Sequence, residues 1–307
     1  MIRKICYIII LSWFSIGINA QNNTVFLPFN QYMFNTLLYN PAFTGTKESF
    51  SVEAIYRKQW IGMKGTPEMQ ALTAHSPLRN NKIAVGMQVD NLSAGAGAER
   101  SNNIFGYYSH RLDIGPLKLR LGLRTGASII SKNLYDVDRK VKEDPAFVDE
   151  TFVMPNFGIG AYLYSNSFYA GVSVPFLLSL SDTKRSFTHD FKRYNFTGTG
   201  GALITISSDF KIKPSAFVQY TIDNPFYYIL SGSFIFVNDI FWVTGSYKST
   251  GELVGILEFQ ITKQIRFGYS YDFPVGDLKG FMSGSHEILL RYDWSYTVRA
   301  TSPGYFW

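Results

Sequence analysis

Short and long connections alternate along this chain to its C-terminus, and that alternation limits the fold more than any other feature of the sequence. Segments with strand character run Ser49–Gln59, Glu68–His75, Lys82–Asp90, Asn102–Leu112, Leu117–Ile130, Val153–Tyr164 and Phe168–Val174. They continue as Phe191–Ile206, Phe210–Tyr220, Phe226–Val237, Ile240–Lys248, Leu253–Ile261, Ile265–Phe273 and His286–Trp294. Every second connection is tight: Ser76–Asn81, Asp113–Pro116, Ser165–Ser167, Ser207–Asp209, Asn238–Asp239 and Thr262–Gln264. Most of the others are longer, above all Ser131–Phe152, Pro175–Asp190 and Pro274–Ser285. A soluble sandwich has no reason to gather its tight turns at one end. An outer-membrane barrel does, with short periplasmic turns and long outer loops.

The strands themselves carry the period of two that puts alternate side chains on opposite faces. Leu117, Leu119, Leu121 and Leu123 alternate with Lys118, Arg120, Gly122 and Arg124; Ile265, Phe267, Tyr269, Tyr271 and Phe273 alternate with Arg266, Gly268, Ser270 and Asp272. In Phe210–Tyr220, Phe217 interrupts a face that otherwise carries Lys211, Lys213, Ser215 and Gln219. A half-buried antiparallel sheet with one wet face explains each strand singly. The even count and lengths of about 9–12 residues, enough for a tilted strand to cross a bilayer, favour lipid outside and a polar lumen inside. The lumen-facing charges are then Lys118, Arg120, Arg124, Arg266, Asp272, Arg291 and Asp293, which either select ions or pair across strands to fill a closed interior. Glycines 198, 200 and 201 predict a bulge or bend in Phe191–Ile206.

Residues 1–20 read as a cleavable export signal: Arg3 and Lys4, an apolar stretch Ile5–Ile18, and a small residue at Ala20. Cleavage there removes Cys6, the one cysteine, so no disulfide supports the exported chain. No later apolar run is long enough for a spanning helix, and only helices and closed barrels satisfy every backbone group in lipid. Aromatic and charged residues each make up 17% of the chain, which suits a lipid-facing surface with aromatic girdles. The net charge of +6 is mild and dispersed, so no nucleic-acid surface is expected.

Catalysis finds no support in the motifs. His75 and His110 fall near periplasmic strand ends, His189 and His286 on outer loops, and no nucleophile elbow, HExxH or CxxC is present. No cofactor is expected. Asp136, Asp138, Glu143, Asp144, Asp149 and Glu150 crowd the longest loop and could offer oxygen ligands to Ca²⁺, but their spacing is not that of an EF-hand, and Arg139, Lys140 and Lys142 interleave with them. The expectation is a solvated loop without a metal.

Before the first strand, Met33, Phe34, Leu37 and Leu38 recur with helical spacing, and Asn40-Pro41 ends the turn. The reading is a short helix and turn within a periplasmic segment, residues 21–46, that could plug the barrel or dock a partner. The barrel occupies 47–294, and a periplasmic tail 295–307.

Taken together these residues resemble the PorP/SprF family of type IX secretion and gliding-motility proteins. The likeness rests on Gln31, Tyr32, Met33, Asn35, Asn40, Pro41, Ala42 and Gly45, then Tyr56, Arg57, Gln59, Trp60, Gly62 and Pro67. It resumes at Tyr271, Asp272 and Phe273, at Gly284, Ser285, His286 and Glu287, and in the tail Ser302–Trp307, where Trp307 is a departure. The resemblance implies a non-enzymatic component of the secretion apparatus in the outer membrane of a Gram-negative bacterium. Its implied partners are a periplasmic ring or lipoprotein of the machine, or the C-terminal domain of a secreted adhesin. Candidate partner-binding positions are Gln31, Tyr32, Met33, Asn40, Pro41, Gly45, Tyr56, Arg57, Gln59, Trp60, His286, Glu287, Tyr305 and Phe306. Tyr296, Tyr305, Phe306 and Trp307 could equally sit at the membrane interface.

The expected fold is therefore an all-β, antiparallel transmembrane barrel of about fourteen strands, with twelve as the alternative count, and with both termini periplasmic. The alternative functions are a transporter of hydrophobic small molecules, using a lateral opening near Gly198–Gly201, or a porin.

Overall fold

In the computed structural model, the described residues are 28–78, 81–132, 150–180, 187–188, 191–222, 224–275 and 283–294. The expected export signal, residues 133–149 of the acidic loop, His189 and the C-terminal tail lie outside them. Fourteen strands form the wall: β1 (Phe50–Lys58), β2 (Glu68–Pro77), β3 (Ile83–Ala94), β4 (Glu99–Ile114), β5 (Leu117–Lys132), β6 (Glu150–Tyr164) and β7 (Phe168–Val174). The circuit continues with β8 (Phe196–Ala202, extended by Ile204–Thr205), β9 (Phe210–Tyr220), β10 (Tyr227–Phe236), β11 (Phe241–Lys248), β12 (Glu252–Gln260), β13 (Ile265–Pro274) and β14 (Ser285–Trp294). Each pairs antiparallel with its sequence neighbours, and β1 pairs with β14 from Phe50↔Trp294 to Lys58↔His286, closing the circuit. A closed circuit leaves no unpaired edge in lipid.

The strand period sets the faces. Leu121, Leu123 and Val172 point outward and are 48%, 55% and 65% exposed, whereas Arg120, Ser173 and Ser231 point inward and are buried. Outward aromatics gather at two levels. Phe210, Phe236, Phe241 and Phe259 make a row near the tight turns, with successive ring centroids 5.3, 6.3 and 4.7 Å apart. Tyr228 and Tyr247 stand at the other end of the same strands, 6.4 Å apart. Aromatic girdles mark the two lipid–water boundaries of such barrels, so these rows bracket the span of β9–β12.

Three features differ from the sequence reading. β3 and β4 run on to Ala94 and Glu99, joined only by a 3-10 turn at Gly95–Gly97, where a long outer loop was expected. Register continued because Asn91↔Asn102 and Leu92↔Ser101 still pair, the two asparagine side chains meeting at 2.7 Å. Phe191–Arg193 is a 3-10 turn outside β8. β8 has no inserted residue: Gly201↔Ser215 and Ile204↔Ile212 keep one register against β9. The ladder to β9 lapses at Ala202 and Leu203, where the register sets Ala202 opposite Pro214, which has no N–H to give. The glycines mark close contact rather than a bulge. A Cβ on Gly201, for instance, would sit 2.6 Å from the Tyr169 ring.

The fourth difference concerns the segment before β1. Every residue from Pro28 to Lys47 is buried, and the segment lies inside the barrel, not in the periplasm. It contains two 3-10 turns, Thr36–Leu38 and Pro41–Phe43, in place of a helix. Asn40 caps the second by accepting the Ala42 N–H at 2.9 Å, with Pro41 pre-set for the first turn position.

Candidate functional site

The plug threads the lumen from the loop end to the tight-turn end. Pro28 and Phe29 share a cavity with Thr250, Asn224 and Tyr227, which stand at the loop end of β9–β12. Lys47, two residues before Ser49, donates to Ser51 Oγ at 3.0 Å and lies 3.6 Å from Asp293 at the tight-turn end.

At the loop end the plug is held by charge. Glu287 accepts the backbone N–H groups of Asn30 and Gln31 at 2.8 and 2.9 Å and the Gln31 side-chain amide at 3.2 Å. The same carboxylate lies 3.1 Å from Arg57, whose other nitrogen is 2.6 Å from Asp272. Lys248 reaches Asp272 at 2.6 Å and Glu252 at 3.1 Å. Asn30 donates to Ser270 at 2.8 Å and also to Asp272. Buried ions are tolerable when each finds partners of opposite sign and further hydrogen bonds, which is the arrangement here.

In the middle the contacts are aromatic and hydroxylic. Tyr32 donates to Ser215 and Ser231 at 3.3 Å, and the Tyr39 ring meets Phe217 edge-on at 5.0 Å. Phe34 meets Trp242 edge-on at 5.3 Å, with the Arg266 guanidinium 4.9 Å from the Trp242 ring and 3.4 Å from Glu258. Asn40 donates to the carbonyls of Ala161 and Val172 at 3.0 and 3.3 Å, and Asn35 to Thr73 at 3.1 Å. Towards the tight turns, Ser109 donates to the Thr44 carbonyl at 2.6 Å, and the Gly45 N–H donates to His75 Nδ1 at 3.2 Å. That bond requires an unprotonated Nδ1, hence a ring carrying its proton on Nε2.

The wall is cut to receive this backbone. A Cβ on Gly122 would lie 2.1 Å from the Ala42 nitrogen, on Gly160 2.1 Å from Asn40 Oδ1, and on Gly268 2.1 Å from Gln31 Oε1. Any larger residue there would overlap the plug.

The sequence-derived candidates fall into distinct places. Gln31, Tyr32, Met33, Asn40, Pro41 and Gly45 are inside the plug, and Arg57, Gln59 and Glu287 are buried in the wall around it. Their contacts are with the chain itself. Tyr56 faces outward and donates to Glu68 at 3.0 Å. Trp60 opens the first outer loop in a left-handed conformation, its N–H donating to Ser285. His286 lies within β14 rather than on a loop, facing outward, 2.6 Å from the Tyr269 hydroxyl. Tyr305 and Phe306 lie outside the described residues. Of the lumen charges, Arg120, Arg124, Arg266, Asp272 and Arg291 are buried, while Lys118 and Asp293 stand at the tight-turn rim, Lys118 facing Glu48 at 3.5 Å. The candidates missed Lys213, Lys248, Glu53 and Glu258, all buried and inward-facing, although strand alternation places each on the lumen side. Among the described residues no group of three or more His, Cys, Asp or Glu side chains is arranged to hold a metal.

A closed antiparallel barrel with an apolar exterior, two aromatic rows and a filled polar interior defines an outer-membrane β-barrel protein. By its sequence the chain belongs to the type IX secretion system membrane proteins of the PorP/SprF family, whose model matches residues 21–292. No curated protein matches it. Among solved structures, the CymD monoaromatic hydrocarbon channel is similar over 86% of this chain and 93% of its own, with 10% identity and a TM-score of 0.50. A Pseudomonas aeruginosa FadL homologue is similar over 86% and 94%, with 10% identity and a TM-score of 0.45. The KdgM porin is similar over 80% and 99%, with 9% identity and a TM-score of 0.40. At such identities the likeness concerns the fold alone.

Proposed function

We propose that the protein is a non-enzymatic docking component of the type IX secretion and gliding machinery. In this reading it presents its two membrane faces to protein partners: a periplasmic ring or lipoprotein on one side, or the C-terminal domain of a secreted adhesin. The observation that carries this reading is the plug. Twenty consecutive buried residues, 28–47, are bonded to the wall along their whole length. A wall glycine opposite the plug, and a carboxylate spent on plug N–H groups, suit a permanently filled scaffold better than a pore. The unbroken register between β8 and β9 also speaks against a lateral exit at Gly198–Gly201.

Crosslinking in native membranes followed by affinity purification tests the reading. Recovery of a secretion-system component or a large adhesin is expected. Recovery of lipid and barrel-assembly factors alone counts against it, and a steady open-channel current from the purified native protein in planar bilayers would favour a porin instead.

A further inference from the structure

The outward face of β1–β4 changes character at one row near the loop end. Along β2 the outward residue passes from Leu72 to Gln70, along β3 from Val89 to Asn91, and along β4 from Ile104 to Asn102. The three amides stand side by side, because Gln70 pairs with Asn91 and Asn91 with Asn102. Tyr56 of β1 heads the row, opposite Gln70. On β10 and β11 the loop-end boundary is marked instead by the Tyr228 and Tyr247 rings. On β2–β4 the apolar belt therefore ends on amides, at the level where lipid head groups meet the wall.

On the lipid side of this row lies a groove of about 480 Å³. Ala54 is its floor, with Leu72 and Val89 on one bank and Ile288 and Leu290 on the other. Leu72 and Leu290 are the cross-strand partners of Ala54, so a single methyl group stands between two longer side chains. Ile55 and Ala71 also line the groove although their side chains point inward, so it reaches the strand backbone. Tyr56, Gln70, Asn91 and Asn102 border its loop end.

These amides have hydrogen-bonding capacity to spare. Asn91 donates to Asn102 at 2.7 Å, which leaves the Asn91 oxygen and the Asn102 NH₂ group for another molecule. Gln70 is exposed and makes no side-chain hydrogen bond among the described residues. None of the outward-facing residues lining the groove is charged, and the neighbouring Lys58 faces Glu68 at 3.9 Å. Asp90, which also borders the groove, points inward and accepts from Asn103 at 2.6 Å. A phosphate placed here meets no counter-charge, whereas the hydroxyl and amide groups of a sugar head can donate to the row and accept from it.

We propose that this groove is a lipid site of the outer leaflet: it seats one acyl chain, and the Gln70–Asn91–Asn102 row holds the head of an acylated sugar. Its volume lies in the range of small-ligand sites. The apolar banks hold any chain of the right length, and the amides supply the choice of head.

The test uses the purified full-length protein in phosphatidylcholine nanodiscs that carry equal trace amounts of glucosyl dioleoylglycerol and dioleoylphosphatidylglycerol. The two lipids share their chains and differ in the head, and native mass spectrometry reads which one stays on the ejected protein. Retention of the glucosyl lipid is expected to exceed that of the phosphatidylglycerol about ten-fold, the scale of one to two hydrogen bonds. Gln70→Leu combined with Asn102→Leu should make the two equal while leaving the groove open. Ala54→Phe should abolish retention of the glucosyl lipid, because the ring fills the floor. These substitutions lie on the lipid face, and heat-modifiable migration in gels checks that the barrel has folded. Equal retention of both lipids by the native chain overturns the proposal, even where a variant fails to fold. So does a preference that survives either variant. A native dimer that Ala54→Phe turns into a monomer overturns it as well, by making this face a contact between copies of the chain.

Discussion

Single residues decide how the barrel is filled. Phe217 breaks the polar face of β9 in the sequence, and the structure explains the break: its ring lies 5.3 Å from Tyr32 and 5.0 Å from Tyr39 of the plug. The anomaly was visible, but its cause lies almost two hundred residues away in the chain. The wall glycines are the counterpart, invisible in the sequence because a glycine on a strand face has many causes. Gly122→Val should force the plug from its seat at Ala42, and planar-bilayer recording should then show larger stepwise currents than the native protein gives. Glu287 is the other sensitive position. Glu287→Ala leaves Arg57 short of a partner and strands the plug N–H groups of Asn30 and Gln31, so urea unfolding in detergent should show a loss of about 3–5 kcal/mol.

At the scale of elements, the strands were legible and the plug only in part. Period-two alternation is a local signal, and it located β7 and β9 to the residue and most others within a few. The plug has no period of its own, because each of its side chains answers a different strand. Asn40-Pro41 announced a turn, which the capped 3-10 helix fulfils, yet nothing local states that Asn40 donates across to β6 and β7. Its place inside the wall depends on the glycine gaps and the inward charges acting together. Deleting residues 28–46 should therefore raise the steady conductance of the barrel above that of the native chain, with heat-modifiable migration in gels retained as evidence of a folded wall. An unchanged conductance would mean that something other than the plug controls the lumen.

At the scale of the molecule, the tight turns give a sidedness to every strand end. The connection between Lys132 and Glu150 belongs to the loop end, and Gly115–Pro116 to the other. Protease added to intact cells should cut between β5 and β6 and spare the β4–β5 turn until the outer membrane is breached. The wall is also uneven: β4 and β5 pair over sixteen residues, from Glu99↔Lys132 to Ile114↔Leu117, whereas β11 has eight. At ~3.3 Å per residue along the strand, one flank of the rim stands well above the other.

The first and last strands meet at the seam that makes the wall a ring, and they are joined there by more than their ladder. Arg57 of β1 and Glu287 of β14 lie 3.1 Å apart, and Glu287 grips the plug at Asn30 and Gln31. The seam is thus latched through its own contents. A chain that zips its ladder before the plug is seated closes without that latch, so an empty barrel should be a weaker ring as well as a leakier one.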